Sequence, residues 1–499
     1  MSTKATRPGR PVALALAVLL LMALPDPAAA LQIHQQIPGP FADARAVVVK
    51  CLECHQQQAE EVLHSSHWTW VRPRTLNGKS VTAGKKDSLA GFAIDVVANG
   101  PRCLSCHIST SPSKESFTKP AAEMVDCLAC HDTTGQYRRG ADPGGDRLSD
   151  LTAMARNVGR PTPRNCTGCH FADCGLAPSA PPGENGQGTA DLADVHLRAA
   201  GPAFTCQTCH LGDSGHTIVR QLSGSAGTED RAAGCASCHT AAPHSLEALN
   251  RHGETIACQT CHIPTYGQSE PVLIFWNWLM TGKTNTVFRA GNGTGLQLHD
   301  QNGFWSARDI EPVYLRDDGA DQVYSRGQKI QPQELTVLQG PAAASAGAKL
   351  SPFRVQYGTQ LYDSRYRYLI SPLLQAEDEA LFPGSDWETI ARKGMEAMVL
   401  PFSGQYGFTA TASYRRLNHG VAPAAEALDC LDCHGATGRI RWDALGFDRD
   451  PMLEVEAAPS ATTPLPEPQA QQEQVRQQTA TLPALPPIQE PGGPAGPLR

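Results

Sequence analysis

Sixteen of the chain's seventeen cysteines belong to one recurring pattern, Cys-x-x-Cys-His. The copies are Cys51, Cys54 and His55; Cys103, Cys106 and His107; Cys127, Cys130 and His131; Cys166, Cys169 and His170; Cys206, Cys209 and His210; Cys235, Cys238 and His239; Cys258, Cys261 and His262; and Cys430, Cys433 and His434. Two thiols separated by two residues form thioether bonds to a porphyrin while the adjacent imidazole reaches its iron, so the pattern marks attachment of a c-type haem. Zinc ribbons pair Cys-x-x-Cys units without a histidine after each, and a thioredoxin-like centre uses a single unit. The eight copies predict eight covalently bound haem c groups, with these cysteines as attachment points and these histidines as proximal iron ligands.

A second set of histidines must be positioned opposite the first. Of the seventeen histidines, nine lie outside the motifs. His34, His64, His67, His196, His216, His244, His252 and His419 are the candidate distal ligands, and His299, isolated among glycine and aspartate, is the weakest of the nine. Residues 56–70 read as helical, which places His64 and His67 three apart on one face. An iron held by two histidines relays electrons without losing a ligand, whereas an iron that transforms a substrate needs an open or weakly held sixth position. Nine candidates for eight positions leave open whether one iron is of the second kind.

The N-terminus reads as an export signal. Lys4, Arg7 and Arg10 precede an apolar run over 12–24, and Ala28, Ala29 and Ala30 supply a small-residue cleavage site. The run falls short of the ~20 residues that a spanning helix needs, so residues 1–30 are expected to be removed, leaving a periplasmic chain with no membrane span. The formal net charge is −7, which argues against nucleic acid as a partner. A periplasmic or membrane-bound redox protein is the expected partner.

Between motifs the chain is short and rich in Gly, Pro, Ser and Thr, too little polypeptide per cofactor for an ordinary apolar core. The expected fold is therefore mainly α with much irregular loop and little β, a multihaem cytochrome c fold wrapped around stacked haems. Residues 31–262 form an N-terminal arm and a seven-motif region. Residues 263–418 are free of motifs and aromatic-rich, expected to pack over the haem stack. One helix is signalled there by Ser385 and Glu388 at its start and by the stripe Ile390, Ala391, Met395 and Met398. Residues 419–452 carry the eighth motif, and 453–499, rich in Pro, Gln and Ala, read as a disordered tail.

The motifs and their flanks resemble the octahaem tetrathionate reductase family of multihaem cytochromes c. The resemblance is carried by His67-Trp68-Thr69-Trp70, Gly84-Lys85-Lys86, Val125-Asp126, His131-Asp132-Thr133-Thr134-Gly135, Asp194-Val195-His196, Asn418-His419-Gly420-Val421-Ala422-Pro423 and Asp450-Pro451-Met452, among others, and spans most of the chain before the tail. It implies seven bis-histidine haems feeding one specialised haem at His107, where tetrathionate, nitrite or hydroxylamine would be reduced. The chain departs from that family in two places. No cysteine occurs between Cys54 and Cys103, and no lysine between Lys119 and Lys283, where the family carries a free cysteine and a distal lysine. Cys174, the one cysteine outside the motifs, together with Arg138 and Asp132, are the candidate catalytic residues. A thiolate binds iron or polarises sulfur, and arginine grips oxyanions through two parallel hydrogen bonds. A structural role for each is the competing reading, as an electron conduit or a reverse-running oxidase is for the whole chain.

Overall fold

The computed structural model describes residues 33–76, 79–89, 94–99, 104, 106–111, 113–137, 150–170, 194–197, 202, 204–210, 216, 218, 234–268, 271–280, 299–300, 303–342, 345, 347–373, 375–376, 379–380 and 386–454. The expected export signal, and nearly all of the expected tail, lie outside them.

The chain enters through α1 (Ala44–Leu52), whose N-cap Asp43 accepts a hydrogen bond from the Ala46 amide at 2.7 Å and which buries Val47 and Val48. This helix carries Cys51 into the first motif. α2 (Gln56–His64) stops because Ser65 is extended, at φ −73° and ψ 161°. His64 and His67 therefore sit on separate helices and not on one face, which corrects the continuous helix expected over 56–70. His67 rides on the single turn Ser66–Thr69, closed by Trp70 in the left-handed region at φ 55°. The hairpin of β1 (Val71–Leu76) and β2 (Lys79–Gly84) follows at once. α3 (Glu247–Thr255) lies between the sixth and seventh motifs.

Beyond the seventh motif come β3 (Val272–Asn277), β4 (His299–Asp300), β5 (Phe304–Ala307), β6 (Val313–Asp317), β7 (Asp321–Val323), β8 (Thr336–Pro341) and β9 (Lys349–Asp363). A small hairpin of β10 (Gln375–Ala376) and β11 (Glu379–Ala380), the helix α4 (Trp387–Ala397) and β12 (Tyr406–Arg416) complete the list. Ten strands form one mixed sheet in the order β2-β1-β7-β8-β12-β9-β3-β5-β4, with β6 also paired to β9. The expectation of a mainly α fold with little β is thus overturned. The motif-free segment supplies most of that sheet, to which the hairpin that follows His67 contributes two strands.

β9 is the spine of that sheet. Its fifteen residues pair antiparallel with β12 from Asp363↔Tyr406 to Phe353↔Arg416, parallel with β3, and antiparallel with β6. Consecutive residues of β3 enter different cores, as a pleated strand requires. Trp276 joins Trp278, Tyr324, Leu338 and Leu361, while Phe275 joins Trp305, Phe353, Tyr357 and Tyr414. Between the tryptophans, buried Gln360 accepts hydrogen bonds from the indole N–H groups of Trp278 at 2.9 Å and Trp276 at 3.3 Å. α4 closes the first core with Ala391 and Met395, joined by Met398 just beyond its end, and its N-cap is Asp386; Ser385 lies outside the described residues. The motif region, by contrast, holds only small apolar clusters, such as Val47, Leu128, Met154 and Ala155.

Among the described residues, the sheet and the segments that flank it are fastened to the motif region by bonds such as the following. Leu350 of β9 accepts bonds from the Ala257 amide and the Thr260 hydroxyl on either side of Cys258. The Ala422 amide donates to the His262 carbonyl, and that of Leu428 to the Cys261 carbonyl. Buried Asp95, upstream of the second motif, is paired with Arg326 at 2.6 Å, and its amide donates to Ser371 Oγ.

Gly358 tests the sheet's packing. A Cβ there would stand 2.2 Å from the Trp276 ring, so Gly358→Ala forces that ring off the strand. The expected cost is about 1–3 kcal/mol, read as a lowered denaturation midpoint; an unchanged midpoint would show that the indole has room to move.

Candidate haem centres

The described histidines assort into seven facing pairs, each joining one motif histidine to one from outside the motifs. His55 faces His34 with ring centroids 6.0 Å apart, His131 faces His216 at 6.3 Å, and His170 faces His67 at 5.9 Å. His210 faces His419 at 5.9 Å, His239 faces His196 at 6.0 Å, His262 faces His244 at 6.1 Å, and His434 faces His252 at 6.3 Å. A metal 2.0–2.1 Å from one nitrogen of each of two opposed imidazoles holds the ring centroids about 6 Å apart. Interplanar angles run from 14° to 83°, so what the seven pairs share is a separation and not a stacking geometry. No group of three or more His, Cys, Asp or Glu forms a bare metal site among the described residues. Two axial nitrogens suffice only where a macrocycle supplies the other four donors, so the donor set fits haem.

In five of the pairs burial favours the ligating form of one ring. His67, His131, His252, His262 and His419 are all held below the ordinary imidazole value, by desolvation first and then, among other causes, by the facing ring. A neutral imidazole has a lone pair to offer a metal. In four rings Nδ1 is engaged, leaving Nε2 as the available donor. His131 Nδ1 lies 2.8 Å from the Gly159 carbonyl, His196 Nδ1 3.0 Å from Asp194, His216 Nδ1 2.9 Å from Glu61 and His434 Nδ1 2.6 Å from Asp450. Asp194 and Asp450 stood in the sequence only among the stretches that carry the resemblance, with no role given to either, and Gly159 and Glu61 were not named at all.

The contacts among the described cysteines reveal which motifs adjoin. Cys51 lies beside Cys127, Cys166 beside Cys206, and Cys235 beside Cys258. Cys130 lies within electrostatic reach of Cys166, Cys209 of Cys238, and Cys261 of Cys430. The motifs therefore run first, third, fourth, fifth, sixth, seventh, eighth. The second joins alongside, through a bridge between Ser109 and Val125 and the bond from the Asp126 amide to the Ile108 carbonyl.

His107, in that second motif, has different company. It is fully buried, with Phe117, Trp68 and Trp70 centred 4.2, 4.8 and 5.3 Å from its ring. Its Nε2 lies 2.7 Å from the Trp68 carbonyl and its Nδ1 3.3 Å from Ser116 Oγ. The Lys85 ammonium sits 4.7 Å over the Trp70 ring. The nitrogen that would reach an iron thus lies against a backbone carbonyl.

His64 is exposed at the end of α2, with its Nδ1 2.8 Å from the Glu60 carbonyl one turn back; it is brought to no other histidine. His299 lies on the edge strand β4, opposite Ser306. Asp132 is buried, and both its oxygens serve its own loop, accepting from the Thr134 amide and hydroxyl and the Tyr137 amide. Cys103, Arg138 and Cys174 lie outside the described residues.

The family model described as Cytochrome c bacterial matches residues 273–437, and that described as Cytochrome c554 and c-prime matches residues 50–133. A solved structure titled as the crystal structure of octaheme cytochrome c from Shewanella oneidensis is similar over 86% of this chain and 99% of that one, with 35% identity and a TM-score of 0.74. No curated protein matches significantly.

Asp132→Ala would strand the Thr134 and Tyr137 donors. The expected loss is about 1–3 kcal/mol of stability, measured by chemical denaturation; an undiminished midpoint would show that the loop does not depend on this carboxylate.

Proposed function

The chain belongs to the multihaem c-type cytochromes, and from that membership we propose that it is a periplasmic octahaem electron-transfer protein. In this reading it delivers electrons to one specialised haem at His107, which reduces a small sulfur or nitrogen oxo compound such as tetrathionate, nitrite or hydroxylamine. Electron transfer through covalently attached haem c is what family membership carries. The count of eight, the ligand assignments and the substrate class are proposals.

The observation that supports the reading is the set of seven motif histidines that face a partner at the separation an iron would span, beside a buried His107 lined by Trp68, Trp70 and Phe117 with the Lys85 ammonium against the Trp70 ring. The pairs His55–His34, His131–His216, His170–His67, His210–His419, His239–His196, His262–His244 and His434–His252 would hold six-coordinate haems. When bound, haem supplies one-electron storage at each centre. Trp68, Trp70 and Phe117 keep bulk water from His107, and Lys85 lies against that aromatic wall as a cation for an oxyanion. Reduction of tetrathionate takes two electrons and cleaves its central S–S bond to give two thiosulfates. The electrons come from a periplasmic or membrane-bound redox partner. Among the described residues no helix is long and apolar enough to cross a membrane.

A second reading, an electron conduit with every iron six-coordinate, is favoured by one observation. The chain lacks both the cysteine before the second motif and the lysine after the fourth that the resembled family carries.

Mass spectrometry of the exported protein is expected to find a chain beginning at Leu31 with eight haems attached through sulfur. Electron paramagnetic resonance of that protein is expected to show one high-spin iron that responds to tetrathionate, nitrite or hydroxylamine. Only low-spin signals, indifferent to all three, would establish the conduit instead. His419→Ala should convert one further iron from low to high spin; an unchanged spectrum would remove His419 from the ligand set.

A further inference from the structure

Three of the seven histidine pairs carry a carboxylate on the ring nitrogen that faces away from the partner. Asp450 Oδ1 is 2.6 Å from His434 Nδ1, while its other oxygen accepts the Gly435 amide at 2.6 Å. Asp194 Oδ1 is 3.0 Å from His196 Nδ1, while Oδ2 accepts the Gly420 and Val421 amides. Glu61 Oε2 is 2.9 Å from His216 Nδ1, with Oε1 held by Gln57 at 2.9 Å. One other pair provides the contrast: the buried Nδ1 of His244, which faces His262, has no hydrogen-bond partner.

A carboxylate bonded to the outer nitrogen of a ligating imidazole raises that ligand's basicity and adds a fixed negative charge beside the metal. Both effects favour the more positive oxidation state. Reduction of such a centre adds one electron and breaks no bond, so the change appears only as a lowered reduction potential.

We propose that Asp450, Asp194 and Glu61 are potential-setting positioning residues, which make the centres of the eighth, sixth and third motifs the low-potential members of the chain of haems. The seventh centre, between two of them in space, is the high-potential one. Electrons then travel an uneven profile and not a monotonic slope, and the terminal eighth centre is one that only a strongly reducing partner fills. The strength of each carboxylate follows its burial. The side chains of Asp450, Asp194 and Glu61 are 6%, 8% and 20% exposed, so solvent screens Asp450 least and Glu61 most.

The inference rests on the bis-histidine reading of the pairs, and the experiment separates the two. Haem content and the low-spin spectrum of the full-length holoprotein test the ligand assignments; a spectroelectrochemical titration tests the carboxylates. In Asp450→Asn, one haem should become easier to reduce by tenfold or more in its equilibrium, which is 59 mV for one electron. Asp194→Asn should move a different haem by a smaller factor and Glu61→Gln a third by the least, while Asp450→Glu returns the eighth centre toward the wild-type value. Shifts confined to one haem per variant, in that order of size, establish the proposal. A fully loaded, low-spin Glu61→Gln or Asp450→Asn protein whose potentials are all unmoved overturns it. Glu61 lies on a partly exposed helix, so its variant decides the matter even if Asp450→Asn does not accumulate.

Discussion

The distance between two opposed imidazoles is the constraint on which the rest of this molecule depends. Seven times over, the chain brings a motif histidine and a remote histidine to about 6 Å, and the remote partners come from almost every part of the polypeptide. His34 belongs to the N-terminal arm, His67 to a single helical turn, His252 to α3, and His419 to the segment leaving β12. Each must arrive in the right place without a large apolar interior to guide it. The clusters of the motif region contain only a few buried side chains apiece, and the short helices there are too brief to be stable alone. What is missing in apolar packing is supplied by the cofactors this geometry is shaped to hold and by hydrogen bonds from loop to loop.

The sheet provides the rigid side of that arrangement. Its two cores are built from large aromatic side chains, and the eleven-residue pairing of β9 with β12 fixes the direction in which the chain leaves toward His419 and the eighth motif. Leu350, at the head of β9, grips the backbone around the seventh motif. Asp95, tied to Arg326 and Ser371, does the same upstream of the second. Motifs distant in sequence are thus referred to one scaffold.

The Cys-x-x-Cys-His pattern was legible because such chemistry needs fixed spacing, and the seven remote histidines that face a motif histidine were all among the candidates because few others exist. It misled at His64, where spacing alone suggested a shared helical face; extended Ser65 breaks the helix between the two histidines. The sheet was hidden for a different reason. β9 is buried along most of its length and includes Gln356, Thr359 and Gln360, while β12 buries Thr409, Thr411 and Ser413. A strand covered on both sides and threaded with polar residues shows no alternation of apolar and polar positions. The carboxylates on the outer histidine nitrogens were illegible because Glu61 meets His216, and Asp450 meets His434, only after folding.

His67 and Trp68 are neighbours along the backbone, yet they serve different centres: one faces His170, and the other lends its ring and carbonyl to His107. Successive Cα atoms across a trans peptide are 3.80 Å apart whatever the surroundings do. A displacement of this one turn is therefore passed to both the second and the fourth centre, and reshaping one centre through this dipeptide disturbs the other in the same step.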